Sequence, residues 1–263
     1  MKKRLFKTGF LSAVLISSLV IAGCTSGDKS ESDKQETKKK TEVLSVGTDT
    51  SYVPFEFLDQ KSGEYVGFDI DLMEAISKEA GFEYELTPMD FTGIIPALQT
   101  GNLDLAIAGI TINPDREKAV DFSAPYYDAG TAILIHEDEE NIKSGEDLKG
   151  RVVATKQGTS SYDYATAIEG IKDIVPFPNI DQAYMELEKG SADAVIFDLP
   201  NILYYMKTNE DKKVKVVDEL LEGQSFGIAF PMGSELTKDV DAALKTLKEN
   251  GTYDELYEKW FGE

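Results

Sequence analysis

The sequence predicts an α/β fold, and two observations support this class. Short apolar runs alternate with stretches of helical apolar spacing, over roughly 220 residues from Val43 onward. Such alternation is typical of α/β proteins with mostly parallel sheets. The composition agrees, because 41% of the 263 residues are hydrophobic, enough for a substantial core. The pattern alone leaves open whether the chain forms one lobe or two.

Each element follows from the same pattern. The segment 68–80 predicts a helix, because Ile70, Met73 and Ile76 recur at helical spacing and Gly81 follows as a stop signal. Strands are predicted at 43–48, 82–86, 103–108, 131–135, 151–155, 173–177, 194–197, 214–217 and 226–230. The other predicted helices lie at 91–99, 160–169, 180–189, 200–207, 235–249 and 253–261.

The N-terminus has the layout of an export signal. A basic start is followed by an apolar run at 9–21, shorter than the roughly 20 residues of a membrane-spanning helix. The run ends at Ile21-Ala22-Gly23-Cys24, which resembles a bacterial lipobox. That motif implies that residues 1–23 are a lipoprotein signal peptide and that Cys24 carries the lipid, so the protein is expected on the outer face of the cell membrane.

Residues 24–42 predict a flexible tether behind the lipid, since 25–42 contain no aliphatic or aromatic residue. The net charge of −21 argues against nucleic acid as a partner. Removal of residues 1–23 takes away four positive charges, so an acidic body needs a covalent anchor to stay at the membrane. Cys24 is the single cysteine, which leaves the exported domain no disulfide and no catalytic thiol.

Candidate ligand contacts follow the predicted strands, because ligands of open α/β sheets bind beyond the carboxyl ends of strands. After the strand 103–108, Gly109 permits close approach to the backbone, and Asn113 is suited to cap a short helix. Arg116 lies near that helix start, where its charge is unfavourable for the helix dipole. It is suited to clamp a carboxylate; a salt bridge with Asp115, Asp121 or Glu117 is an equal alternative.

Other strand ends carry further polar groups. Asp49 follows the first strand, Asp198 ends another and is also suited to cap a helix, and Lys156 begins a turn that leads to Ser160. That turn either holds an anion or is a helix cap. A cation, two acids and an amine suit a zwitterion with a polar side chain. The sequence has no metal-ligand spacing and no nucleotide-binding glycine motif, so no cofactor is expected.

Long segments resemble the polar amino-acid family of extracellular solute-binding proteins, and its glutamine-binding members in particular. They include TDTSYVPFEF, YVGFDIDL, DFTGIIPALQTGNLDLAIAGIT, DLPNILYYMK and LKTLKENGTYDELYEKWFG. The resemblance covers 43–262 and implies a two-lobed periplasmic-binding-protein-like fold of type II. It implies lobe 1 at 43–125 plus 227–263, lobe 2 at 131–221, hinge strands at 126–130 and 222–226, and a ligand in the cleft between the lobes.

The resemblance also implies a role for each site residue. Arg116 and Thr111 would bind the ligand α-carboxylate, and Asp198 with the Gly109 carbonyl would bind its ammonium. The remaining positions would enclose the ligand or read its side chain: Tyr52, Phe91, Ala108, Ser160, Asp49 and Lys156. Phe197 stands where glutamine-binding members have a histidine.

The implied function is that of the binding lipoprotein of an ABC importer. The protein would bind a polar amino acid by hinge closure, with glutamine as the leading candidate. It would act as a monomer and deliver the ligand to a permease and its ATPase. Two alternatives remain, a dehydratase-like enzyme on the same fold and a sensory module without transport.

Overall fold

The computed structural model describes residues 43–209 and 211–262; the predicted signal peptide, lipid site and tether lie outside them. Fourteen strands occur in the described part. They are β1 Val43–Thr48, β2 Ser51–Tyr52, β3 Glu56–Leu58, β4 Tyr65–Val66, β5 Glu83–Pro88, β6 Leu105–Ala106, β7 Asp121–Phe122, β8 Tyr127–His136, β9 Val152–Lys156, β10 Asp173–Phe177, β11 Ala194–Asp198, β12 Val214–Val216, β13 Glu222–Phe226 and β14 Ala229–Phe230.

Seven α-helices connect or flank these strands within the described residues. They are α1 Phe68–Ala80, α2 Phe91–Gln99, α3 Ser160–Ala167, α4 Ile180–Glu188, α5 Leu199–Thr208, α6 Leu236–Glu249 and α7 Thr252–Phe261. Short 3-10 helices occur at Arg116–Lys118 and Gly145–Leu148. The helix predicted after Asn113 is therefore a single 3-10 turn.

A sheet lies at the centre of each lobe, and a third, three-stranded sheet has the order β2-β3-β4. The first sheet has the order β5-β1-β6-β14-β7, and the second has β10-β9-β11-β8-β12 with β13 also paired to β8. Helices α1, α2, α6 and α7 accompany the first sheet, and α3, α4 and α5 pack on the second. Both sheets are mixed rather than mostly parallel, because β8 and β14 each run antiparallel to their neighbours.

The chain passes between the two sheets twice, through β8 and β13. These strands pair antiparallel, with Tyr127 opposite Phe226 and Gly130 opposite Gly223. The single strand predicted at 226–230 is wrong, because Gly227 interrupts it. Residue 226 pairs with β8 of the second sheet, whereas 229 and 230 pair with strands of the first, so β13 and β14 are separate strands in different sheets.

Helix α1 shows how the apolar pattern produces packing. Phe68, Leu72, Met73 and Ile76 are fully buried on one face, and the helix packs on α6 and α7. Burial of such side chains stabilises the fold by roughly 1.5–3 kcal/mol each. The helix ends at Gly81, whose φ of +77° is readily adopted only by glycine.

An aromatic cluster joins the first lobe to the crossing strands. Phe55 is fully buried, and its ring centroid lies 4.9 Å from that of Tyr127, 5.4 Å from that of Phe226 and 5.2 Å from that of Phe261. Aromatic pairs of this kind add about 0.5–1.5 kcal/mol beyond the area that they bury. The cluster lies directly behind Tyr52, whose ring stacks on Phe55 at 4.8 Å.

Candidate functional site

A narrow cavity of about 10 Å³ lies between the two lobes. All ten residues predicted to bind a ligand line it: Asp49, Tyr52, Phe91, Ala108, Gly109, Thr111, Arg116, Lys156, Ser160 and Asp198. Thr159 and Phe197 complete the lining. The structure thus brings every predicted site residue together, while the role of each one stays a prediction.

Strand ends position most of these residues. Asp49 follows the last residue of β1, Lys156 is the last residue of β9, and Asp198 is the last residue of β11. Strands β1 and β9 belong to different sheets, so carboxyl ends from both lobes face the same cavity.

Thr159 lines the cavity although it was not among the predicted ligand-binding residues. Its hydroxyl does cap α3, accepting a hydrogen bond from Tyr162 N at 3.2 Å. The cap places Thr159 beside Ser160 at the cavity wall. Its location between a strand and a helix N-terminus could have predicted this place in the cavity wall, because ligands bind at such junctions.

Asp198 occupies the N-cap position of α5, yet its side chain makes no capping hydrogen bond. Tyr52 Oη instead donates to Asp198 Oδ2 at 2.7 Å, and Ser161 Oγ donates to Oδ1 at 3.2 Å. Burial raises the pKa of Asp198 above its ordinary value, although these two hydrogen bonds and the charges of Arg116 and Lys156 oppose the shift. The carboxylate is therefore directed at the cavity and not at the helix.

Arg116 reaches from the first lobe toward the second. Its guanidinium donates to Thr111 O at 2.9 Å and to Gly158 O at 3.2 Å, and lies 5.3 Å from the Phe91 ring centroid. Burial lowers the pKa of Arg116 from its ordinary value, but an arginine stays charged at neutral pH. Two carbonyls use only part of its five N–H donors, which leaves donors for an anion.

The salt bridge considered for Arg116 from the sequence does not form within the described residues. Asp115 pairs with Lys118 at 2.7 Å instead, and Asp121 accepts from Gly233 N at 2.5 Å. Asn113 Oδ1 accepts from Arg116 N at 2.8 Å, as the predicted cap requires. That cap orients the start of the 3-10 turn and so the direction of the arginine side chain.

Lys156 and Asp49 form a buried ion pair across the cleft. Both side chains are only 2% exposed, and Asp49 also accepts from Thr50 N at 2.7 Å. Lys156 Nζ lies 5.9 Å from the Tyr52 ring centroid and 5.7 Å from that of Phe91. A buried pair of this kind is costly to break, because removal of one partner leaves an uncompensated charge.

Gly109 brings the backbone close to the aromatic wall. Its φ is +52°, and a Cβ at this position would lie 2.2 Å from Tyr52 Cε1. Its amide donates to Asp69 Oδ2 at 2.9 Å. Only glycine fits here, because both the conformation and the space exclude a side chain.

Contacts outside the cavity also join the lobes. Ser51 Oγ donates to Asn179 Oδ1 at 2.7 Å. Asn201 Nδ2 donates to Val53 O, and Tyr184 Oη donates to Asn201 Oδ1 at 2.6 Å. The lobes are thus held against each other by the Ser51–Asn179 and Asn201–Val53 hydrogen bonds as well as by groups that line the cavity.

In the part of the chain that the structure describes, no three His, Cys, Asp or Glu side chains are grouped to hold a metal ion. Among the same residues, no helix has the length and apolarity needed to span a membrane.

A polar cavity between two α/β lobes, connected by two crossing strands, defines a solute-binding protein of the two-lobed class. The chain belongs to the bacterial extracellular solute-binding proteins of family 3, whose family model matches residues 44–263. It is an amino-acid-binding protein of the kind that serves ABC transporters. Members of this family act outside the cytoplasm.

Several known proteins are similar over most of their length. The arginine-binding extracellular protein ArtP of Bacillus subtilis (strain 168) is 34% identical, with 94% of this chain and 96% of ArtP covered. The glutamine-binding protein GlnH of the same strain is also 34% identical, with 99% of this chain and 98% of GlnH covered. A solved structure of an ancestral arginine-binding protein bound to glutamine is 46% identical, covers 84% of this chain and 98% of its own, and has a TM-score of 0.79.

Proposed function

We propose that this protein binds a polar amino acid, with glutamine as the leading ligand, and delivers it to the permease of an ABC importer. One observation carries the proposal. A guanidinium from the first lobe and a buried carboxylate from the second, Arg116 and Asp198, line the same narrow cavity between the lobes. Opposite charges at two sides of one small cavity are complementary to a zwitterion.

The ligand backbone would be bound at these two poles. The α-carboxylate accepts from Arg116 and from Thr111, and the α-ammonium donates to Asp198 and to the Gly109 carbonyl. Tyr52 and Phe91 enclose the ligand between aromatic faces, Ala108 lines the wall, and Ser160 adds a backbone donor at the start of α3. Buried charge-assisted hydrogen bonds of this kind are the strong ones in recognition.

The Asp49–Lys156 pair favours glutamine over arginine. Lys156 neutralises Asp49, so a ligand cation would meet an acid whose charge is already paired. A side-chain amide can donate to Asp49 and accept from Lys156 at the same time. Phe197 contributes no donor, so these two residues carry the selectivity.

Binding would proceed by hinge closure about the two crossing segments predicted at 126–130 and 222–226. The ligand contacts one lobe first, and the second lobe then adds Asp198, Lys156 and the donors near Ser160. A ligand shifts this equilibrium only by its extra affinity for the closed form. Contacts from both lobes supply that difference, and the closed form would then dock on the permease.

A stability screen against the twenty common amino acids tests the ligand. A true ligand at about 100 times its dissociation constant raises the free energy of unfolding by ~2.7 kcal/mol. We expect L-glutamine to stabilise most, with D-glutamine as the matched control. Stabilisation by arginine alone would overturn the choice of glutamine, and no stabilisation by any amino acid would overturn the binding proposal.

Recovery of the ligand tests the enzyme alternative. Mass spectrometry after long incubation is expected to return the amino acid unchanged, because binding involves no covalent step. A converted product would support the dehydratase-like alternative instead.

The lipid anchor is a second part of the proposal and rests on the tetrad that ends at Cys24. Mass spectrometry of the mature N-terminus is expected to find a lipidated cysteine. Cys24→Ser should release the protein from cells, with Ser26→Ala as a control that stays attached. Attachment that survives Cys24→Ser would remove Cys24 from the anchor.

A further inference from the structure

Two acidic side chains are buried together behind the cavity, Glu56 at the start of β3 and Asp69 in the first turn of α1. Both are 0% exposed. Gly67 makes their contact possible, because its φ is +141° and a Cβ there would lie 2.0 Å from Phe55 O. The helix therefore begins directly against the backbone of residues 55–56, with Asp69 N donating to Phe55 O at 2.8 Å.

The two carboxyl groups lie within hydrogen-bonding reach of each other. Both Glu56 oxygens and Asp69 Oδ1 are buried, and none of them meets a hydrogen-bond donor among the described residues. Buried carboxylates without donors are costly, and two in contact cannot both be ionised. A proton between them satisfies both groups at once.

The remaining contacts decide which acid carries that proton. Asp69 Oδ2 accepts from Tyr126 Oη at 2.7 Å and from Gly109 N at 2.9 Å, so Asp69 is held as an acceptor. Glu56 has no such donor among the described residues and is the natural proton carrier. Burial, followed by the charges of Asp69 and Asp49, raises the pKa of Glu56 well above its ordinary value. Burial raises the pKa of Asp69 to about 6.

The charged and titratable groups around the pair do not supply another donor to Glu56. Lys156 is the cation that acts on it, and Lys156 is paired with Asp49. The other titratable groups that interact with the two acids are Tyr52, Tyr126 and Tyr253. The groups around the two acids thus carry a net negative charge when ionised, which favours retention of the proton on Glu56.

We propose that Glu56 keeps a proton at neutral pH and donates it to Asp69, and that this acid pair positions Gly109 at the ligand site. Asp69 ties the Gly109 amide, while Tyr52 packs against the Cα of the same residue. Glu56 holds Asp69 in place, and Asp69 holds Gly109. Glu56 therefore acts on the site through these two residues and does not contact the ligand. The positioning part rests on the proposed function; the shared proton does not.

The shared proton is tested by ligand-independent stability against pH. A group whose pKa is raised by folding contributes stability that is fully present below its ordinary pKa and is lost as pH rises through the folded pKa. Glu56→Gln keeps the shape and offers Asp69 a permanent N–H donor. The ratio of its folding equilibrium constant to that of the wild type should therefore rise between about pH 5 and about pH 8, by up to about tenfold per pH unit.

Parallel stability curves for wild type and Glu56→Gln would overturn the shared proton. Asp69→Asn is the matched variant from the other side, because its amide can donate to an ionised Glu56, and it should show the same relative gain. Infrared spectroscopy gives a direct readout. The wild type at neutral pH should show the carbonyl band of a protonated carboxyl that Glu56→Gln lacks, and absence of that difference would also overturn the proposal.

Ligand affinity tests the positioning role, with whichever amino acid stabilises the wild type. We expect Glu56→Gln to bind within about twofold of the wild type and Glu56→Leu to bind about tenfold more weakly, since leucine leaves a buried acceptor unpaired. Folded Glu56→Leu that binds like the wild type would overturn positioning and leave the shared proton intact. A wild type that binds no amino acid would overturn the proposed function, while the pH and infrared results would still decide the shared proton.

Discussion

The Tyr52 hydroxyl donates a 2.7 Å hydrogen bond to Asp198 across the cleft. Both residues are buried, at 3% and 6% exposure, and they belong to different lobes. Burial, reinforced by Asp198, raises the pKa of Tyr52 well above its ordinary value, so the phenol remains a donor at any physiological pH. One contact therefore joins an aromatic wall of the cavity to the proposed ammonium acceptor, and the proposed opening of the lobes would break it.

Tyr52→Phe should weaken amino-acid binding by about tenfold. Hydrogen bonds to charged groups contribute about 1.5–3 kcal/mol, and loss of this one favours the open form. Calorimetry measures the change. Tyr84→Phe is the matched control, because the Tyr84 hydroxyl contacts the exposed Glu74 at 3.5 Å, away from the cavity. Tighter binding by Tyr52→Phe would mean that the hydroxyl competes with the ligand for Asp198.

Arg116→Ala should cost at least ~2–3 kcal/mol of binding free energy, because the ligand carboxylate would stay buried without its charged partner. Arg151→Ala is the control. Arg151 is also half-buried, but it pairs with Glu139 at 3.3 Å and does not line the cavity. A dissociation constant that is unchanged in Arg116→Ala would remove Arg116 from the ligand site.

Acidification should weaken ligand binding through Asp198. Burial raises the pKa of this carboxyl, whereas a bound ammonium would lower it, so binding releases a proton as pH approaches the raised value. Affinity is therefore expected to fall as pH decreases toward the raised pKa of Asp198. The profile is measured in the Glu56→Gln background, which removes the titration of Glu56.

Asp198→Asn is the control for the acid dependence. It should bind more weakly at neutral pH and show a flatter profile, since the amide has no proton to lose. An equally steep profile in Asp198→Asn would assign the dependence to another group.

The strand–helix alternation was the part of the fold that the sequence could specify. Helix α1 begins and ends at the predicted residues, because Gly81 and the apolar spacing are local signals. Pairing partners are not local. The crossing through β8 is ten residues long, where only 131–135 was predicted, and β6 keeps two residues of the strand predicted at 103–108. The length of a strand depends on neighbours that the pattern does not specify.

The candidate site also contains residues that the sequence could predict and residues that it could not. Arg116, Lys156 and Asp198 could be nominated because they follow strands, and the family resemblance added the residues that enclose a ligand. The resemblance also supplied the two lobes, which periodicity left open. Glu56 and Asp69 were missed, since only the close start of α1 at Gly67 brings the two acids together. No spacing signal connects them.

Ser51→Ala should weaken ligand binding by severalfold without lowering the stability of the fold. The Ser51–Asn179 hydrogen bond joins the lobes outside the cavity, and a neutral hydrogen bond contributes about 0.5–1.5 kcal/mol. Small-angle X-ray scattering should find a larger open fraction. Ser62→Ala is the control, because the Ser62 hydroxyl bonds only to Asp59 and Glu64 within one exposed turn of the described residues. Equal affinities for the two variants would show that this contact does not affect closure.

Lys156→Met should shift selectivity from glutamine toward arginine. The substitution leaves Asp49 buried without its cation, and a ligand guanidinium can take the place of the lost ammonium. We expect the ratio of arginine to glutamine affinity to rise by at least about tenfold, measured by competition calorimetry. The double variant Asp49→Asn/Lys156→Met keeps the cavity polar but removes the uncompensated acid, so its preference for arginine should disappear. An affinity ratio that is the same in the wild type and both variants would mean that the ligand side chain lies elsewhere in the cavity.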